Sequence, residues 1–155
     1  MLAEKIVRYI LIALEGEPDV YVRLLTGVTD AEADRRPDPD RFTLREALAH
    51  VAEWEDVFFE RMTATRDTDT PVLQGYDEGQ WAIDHNYAHA DVPMQLALFR
   101  QRRARNVAFL RALAPEQWAR AGRHTEVGPV TLEEQMLLIL AHDGYHARQF
   151  AEGRA

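Results

Sequence analysis

Apolar residues recur at intervals of three and four along most of this chain, and nowhere do they alternate in a sustained period of two. That spacing is the signature of helices that bury one face, so the chain is expected to be all-α. The first stripe, Ile6, Val7, Ile10, Leu14, Tyr21, Leu24 and Leu25, predicts a helix over about Leu2 to Leu25. Pro18 lacks a backbone donor and crowds the preceding turn, which predicts a kink near Glu15 to Pro18 or two consecutive helices. Thr29 to Arg41, with Pro37 and Pro39, reads as a connector holding one helical turn. Thr43 and Glu46 form a capping box ahead of Leu44, Leu48, Val51, Phe58 and Met62, which places a second helix over about 44 to 65.

Residues 66 to 91 carry turn formers and leave room for a short helix around Asp77 to Ala88. Asp91 and Pro93 open a third helix with Leu98, Phe99, Phe109, Leu110 and Leu113; Pro115 and Gly122 end it, leaving an irregular or extended link to Pro129. A second capping box, Thr131 and Glu134, starts a last helix carrying Met136, Ile139, Leu140 and Phe150. Four amphipathic helices of this length are marginal alone and bury their stripes most simply as a four-helix bundle. A length of 155 residues suits one domain spanning 1-155.

Composition narrows the function. With no Cys there is no disulfide framework and no thiol nucleophile, so a metal would have to be held by imidazoles and carboxylates. A formal charge of -8 disfavours nucleic acid and anionic membrane surfaces as partners. The N-terminal residues lack a signal-peptide layout, and no apolar run approaches the roughly 20 residues that span a bilayer. A soluble, cytoplasmic protein is expected.

Six histidines supply candidate ligands. His142 and His146 stand four apart, so both imidazoles project from one helix face and can reach one ion. A reactive site usually takes three protein ligands, and His50 on the second helix is the candidate third. On a helical wheel His50 lies about 90° from the centre of its apolar stripe, and His142 and His146 about 60° to 100° from theirs, so all three flank a groove between helices. The competing reading is that each is a hydrogen-bonded structural histidine. His85 and His89 share the same spacing in a polar segment with no stripe to aim them, and His124 falls in a loop or at a pocket mouth. Asp143 follows His142 where a zinc peptidase would have its Glu base, and too little chain remains after His146 for a third ligand, which argues against a thermolysin-like peptidase. Asp143, Glu55, Arg102 and Asn106 fall on apolar faces, which predicts a buried polar network in which Arg102 meets Asp143 or Glu55.

The segment from Arg36 through Phe42-Thr43-Leu44 to His50 and Trp54-Glu55 resembles the entry to the second helix of the DinB/YfiT-like metalloenzyme family, with Phe42 where many members carry Trp. Gly128-Pro129-Val130-Thr131-Leu132, followed by His142-Asp143-Gly144-Tyr145-His146 and Gln149, is similar to that family's final helix. The resemblance covers essentially the whole chain and implies a four-helix bundle with a long crossover between helices two and three. It implies a divalent ion, nickel or zinc, on His50, His142 and His146, and leaves His85 and His89 outside the pattern. Relatives of this fold are thiol-dependent S-transferases and isomerases in detoxification, so an external low-molecular-weight thiol is one expected cofactor. The alternatives are hydrolysis of an amide or ester by an acidified water and a non-catalytic, stress-induced metal-binding bundle. A small-molecule substrate and a homodimer are the expected partners. Glu53, Tyr145 and Gln149 lie near the ligands in sequence without one standing out as a general base. Substrate choice is expected to lie in residues 66 to 91 and the link around His124.

Overall fold

A computed structural model describes residues 2–36 and 38–153; the connector proline at 37 and the terminal residues Met1, Arg154 and Ala155 lie outside the described residues. The elements are α1 (Glu4–Leu25), α2 (Asp30–Ala33), α3 (Leu44–Asp67), β1 (Val72–Leu73), α4 (Glu78–Asp84), a 3₁₀ turn (Tyr87–His89), α5 (Val92–Arg111), a second 3₁₀ turn (Pro115–Ala119), β2 (Ala121–His124), β3 (Gly128–Thr131) and α6 (Leu132–Gly153). Both expected capping boxes form: Thr43 accepts from the Glu46 amide and Glu134 accepts from the Thr131 amide at 2.7 Å. A third, Thr29 with Glu32, caps the single turn of α2.

The four long helices form a square in which α3 packs on α5 and α6, and α1 packs on the same two. Arg102 bonds Ala52 and Phe109 lies beside Phe59, so α3 and α5 run parallel. Parallel neighbours cannot be joined by a tight turn, because the chain must first return along a helix of 24 residues, roughly 36 Å at 1.5 Å per residue. Residues 68 to 91 make that return and carry β1, α4 and the first 3₁₀ turn. The bundle with a long crossover between its second and third long helices is therefore present. Among the described residues no helix is long and apolar enough to cross a membrane.

The extended link before α6 is a hairpin: β2 pairs antiparallel with β3, Gly122 opposite Val130, and parallel with β1, Leu73 opposite His124. Strands this short show no period in sequence. A Cβ on Gly122 would stand 2.7 Å from the Leu73 side chain and 3.0 Å from Thr65, so this close seam requires glycine.

Proline does not divide the first helix, since α1 runs from Glu4 to Leu25 with Pro18 inside it. Pro18 leaves the carbonyl of Leu14, four residues earlier, without its helical donor. The Nη1 of Arg103 donates to that oxygen at 3.1 Å. Arg103 also corrects the expectation for Arg102. Arg102 is half-buried on the flank of α5, donating to Ala52 O and pairing with Asp56, whereas Arg103 is 1% exposed and takes the core position. Its phase follows Phe99, Arg103, Asn106 and Leu110, a four-three-four series that the arginines on neighbouring positions of α5 obscure.

All five N–H groups of the Arg103 guanidinium are used. Nε and Nη2 donate to Glu55 at 2.9 and 2.6 Å, Nη1 and Nη2 donate to Asp143 at 2.5 and 2.7 Å, and Nη1 also serves Leu14. Asn106 donates to Glu55 Oε2 and to its backbone oxygen, both at 2.8 Å. One cation faces two buried carboxylates, so the cluster holds a surplus negative charge. Burial, opposed by the bonds from Arg103 and reinforced by the charges of Glu55 and Glu17, pushes the Asp143 carboxyl up to about 7.

Arg103→Ala is expected to cost about 3–5 kcal/mol in urea unfolding, because it strands two buried carboxylates, while Arg102→Ala costs about 1 kcal/mol or less. The folded pKa of Asp143 is raised, so the native state binds this proton more tightly than the unfolded chain does. Its stabilising contribution is complete at low pH and is lost as pH rises through the window from 3.8 to about 7. In metal-free protein, the stability of the wild type relative to Asp143→Asn should fall across that window and level off above it.

Candidate functional site

His50 lies seven residues past the Thr43 cap, and His142 and His146 occupy the middle of α6. Helices α3 and α6 run antiparallel, with Gln135 bonded to Thr65 and Gln149 bonded to Phe42, which brings these residues to one level. The Nε2 atoms of His50 and His142 are 3.0 Å apart, and one nitrogen from each of the three imidazoles lies within 4.8 Å of the others. His50 and His146 are buried, while His142 is partly open. The expected triad is thus assembled in space.

Burial, together with the charge of neighbouring His146, lowers the His50 pKa to about 3. Burial lowers His146 to about 4 against the Gln149 hydrogen bond, and holds His142 well below the usual histidine range. All three are neutral near pH 7, so each has a lone pair to give. Gln149 decides how His146 offers its own. The Gln149 Nε2 donates to Phe42 O at 2.8 Å, so its Oε1 is the acceptor facing His146 Nδ1 at 3.0 Å. Nδ1 therefore carries the proton and Nε2 presents its lone pair to the cluster. His50 differs: its buried Nδ1 has no hydrogen-bond partner among the described residues, and its ring is flanked by Trp54 at 4.4 Å and Phe42 at 5.4 Å.

The donor set fits a divalent ion. Two neutral imidazoles meeting Nε2 to Nε2 repel unless one tautomer donates, and a shared cation removes the conflict because every lone pair then points at it. Three imidazole nitrogens are also the ligand set of open catalytic zinc sites.

A cavity of about 370 Å³ reaches this cluster, lined by His142 and His146 and walled by Arg41, Phe42, Glu78 and Tyr145. The crossover thus contributes Glu78 to its mouth. The link around His124 does not reach it; His124 ends β2 and accepts from the Glu126 amide. The connector before α3 takes that place. A larger cavity of about 760 Å³ lies at the other end of the bundle among Leu2, Val7, Leu11, Leu110 and Trp118, with no imidazole in its wall. His85 and His89 stay outside the cluster. His85 contacts Glu53 at 2.5 Å, and His89 is exposed on the first 3₁₀ turn.

Residues 13–150 match the DinB superfamily. The chain belongs to the DinB superfamily. Among DinB relatives, it is 26% identical over 140 residues to the "Putative metal-dependent hydrolase YfiT" of Bacillus subtilis, covering 90% of this chain and 79% of that protein. A similarly named protein of Oceanobacillus iheyensis is 22% identical over 133 residues, 86% of this chain and 77% of the relative. The solved YfiT structure, described as a probable metal-dependent hydrolase with an unusual four-helix bundle topology, superposes with a TM-score of 0.93 at 24% identity, over 99% of this chain and 88% of that one. A Streptococcus pneumoniae protein shares the fold at a TM-score of 0.73 and 16% identity, over 96% and 90% of the two chains.

Within this DinB site Gln149 is the residue whose role the sequence left open. Gln149→Leu leaves Phe42 O and His146 Nδ1 without partners, so a loss of about 1–3 kcal/mol is expected in urea unfolding. Long-range ¹H–¹⁵N spectra of metal-free protein should show His146 as the Nδ1-protonated tautomer in the wild type and as a mixture in the variant.

Proposed function

We propose that His50, His142 and His146 hold one divalent cation, zinc or nickel, and that the protein is a metal-dependent hydrolase of small ester or amide substrates. The observation that carries this reading is the convergence of three neutral imidazoles beside a cavity open to solvent. A divalent ion held there by three neutral imidazoles would keep its 2+ charge and would acidify a water or thiol bound to it. The chain's own residues do the rest. Gln149 keeps the His146 lone pair turned inward; Asp40 and Glu78 are the carboxylates in the cavity wall available to take a proton. Arg41, held by Glu152 at 3.2 Å and lying 5.8 Å over Tyr145, offers a guanidinium to an anionic part of the substrate. The names of the relatives speak for hydrolysis rather than thiol transfer, which rests on the family resemblance alone.

Metal analysis of purified protein should find one divalent ion per chain, lost in His50→Ala and in His142→Ala. Full stoichiometric metal in both variants would refute this site. Metal-dependent release of nitrophenol from p-nitrophenyl acetate, without added thiol, is the outcome expected for the hydrolase; consumption of monochlorobimane only when a thiol is added would replace it with the transferase.

A second copy of the chain is the proposed macromolecular partner. Ile6 and Tyr9 on α1 are 47% and 63% exposed, and Leu137 and Leu138 on the adjacent α6 are 38% and 48% exposed. Ala13, Ala141 and Gly144 lie exposed on the same two helices and let another helix pair approach closely. Two helices of 22 residues, each roughly 33 Å long, offer a face on the order of the 800 Å² per partner of a stable interface. Sedimentation should show a dimer, and Leu137→Glu should convert it to monomer.

A further inference from the structure

Glu53 stands three residues after His50 on α3, on the flank that faces the crossover. Its carboxylate takes three donors from that segment. Oε2 accepts from Trp81 Nε1 at 3.0 Å and from the Tyr87 hydroxyl at 2.5 Å, and Oε1 accepts from His85 Nδ1 at 2.5 Å. Burial alone would raise its pKa, but the three bonds outweigh that and lower it, so the group is a carboxylate near neutrality. Asn86, between two of the donors, has φ 54° and ψ 44°, the left-handed region, and this turn lets the side chains on either side of it reach one carboxylate. Asn tolerates that conformation better than most residues with a Cβ.

Two of the residues held in this way belong to the aromatic surroundings of His50, Tyr87 directly and Trp81 through Trp54. Trp81 packs edge-on against Trp54 at 5.6 Å, and Trp54 lies on the His50 ring at 4.4 Å. Tyr87 faces His50 at 6.5 Å and Phe42 at 6.3 Å, and Phe42 closes on His50 at 5.4 Å. The other buried ligand candidate, His146, is oriented by a hydrogen bond to its Nδ1, whereas the Nδ1 of His50 has no such partner among the described residues. With only its Nε2 bonded, to His142 at 3.0 Å, the His50 ring takes the rest of its orientation from aromatic packing.

We propose that Glu53 is the positioning residue for His50: its carboxylate clamps Trp81, His85 and Tyr87 of the crossover onto α3, and the aromatic wall so fixed holds the imidazole in register. Metal-binding histidines are commonly oriented by a carboxylate on their second nitrogen. Here the carboxylate acts one layer further out, through rings. As it concerns a ligand of the cation, the inference rests on the metal-binding reading, although the ring it positions is observable without metal.

The test compares the full chain with Glu53→Ala, Glu53→Gln and Thr65→Ala. The last breaks the hydrogen bond between Thr65 and Gln135 at the far end of α3 and serves as a remote control for lost stability. A glutamine can keep all three contacts, its oxygen accepting from Trp81 and Tyr87 and its amide donating to His85 in the other tautomer. In metal-free protein, the His50 ring resonances should be single and sharp in the wild type, Glu53→Gln and Thr65→Ala, and broadened or doubled in Glu53→Ala. With Co²⁺ as the probe, Glu53→Ala should bind about 10–100-fold more weakly with an altered d–d spectrum. Glu53→Gln should stay within about threefold of the wild type and Thr65→Ala should match it in spectrum. Unchanged His50 resonances in metal-free Glu53→Ala would overturn the positioning role. A wild type that takes up no Co²⁺ would instead sink the metal reading and leave the ring measurement to decide the role of Glu53.

Discussion

The bundle depends on the guanidinium of Arg103. It is fully buried, uses every donor it has, and touches all four long helices: its own α5, Glu55 on α3, Asp143 on α6 and the Leu14 carbonyl on α1. Buried charges stabilise little in net terms and cost much when stranded, so any arrangement that takes Arg103 away from Glu55 or Asp143 is penalised. The same cluster also aims the site. Asp143 must face Arg103, which turns His142, about 100° around the helix from it, and His146, about 60° from it on the same side, toward α3. The Asp143 backbone oxygen accepts from the Tyr21 hydroxyl at 3.0 Å, which pins the same turn of α6 to α1. The single proline of α1 is accommodated by the same arginine.

The three imidazoles are held by unlike means. His146 has a hydrogen-bonded amide behind it, His50 has rings around it, and His142 faces the cavity with Phe58 at 5.4 Å on its other side. The crossover is the reason such a wall exists. Parallel α3 and α5 demand a long return, and a connection of that length has enough chain to place Glu78 at the cavity mouth, Tyr87 beside His50 and Trp81 behind Trp54. Topology and site construction are linked through this one segment.

Much of the fold could be read from local signals. The boxes at Thr43 and Thr131 mark where α3 and α6 begin, and the apolar stripes of those helices give the phase that puts His50, His142 and His146 on the flank of a groove. The polar network was legible in part, as Glu55, Asp143 and Asn106 are members. The arginine was misplaced by one position because α5 is crowded with arginines, most of them paired at the surface, and its apolar stripe is too diluted to show its phase. The small sheet was illegible because two to four residues carry no period. The Glu53 clamp joins residues 28 to 34 apart that lack any common spacing.

Sequence alone determined the four helices, their caps, the pairing of His142 with His146 and the absence of an internal thiol, because these follow from residue types at short, regular spacings. The tertiary structure decided which arginine is buried, how Pro18 is tolerated, that Gln149 sets the His146 tautomer, and that the crossover rather than the His124 link reaches the cavity. Each of these depends on the relative rotation and height of helices distant in sequence. That arrangement is set by packing and by satisfaction of buried charge across the whole bundle, and no local pattern encodes it.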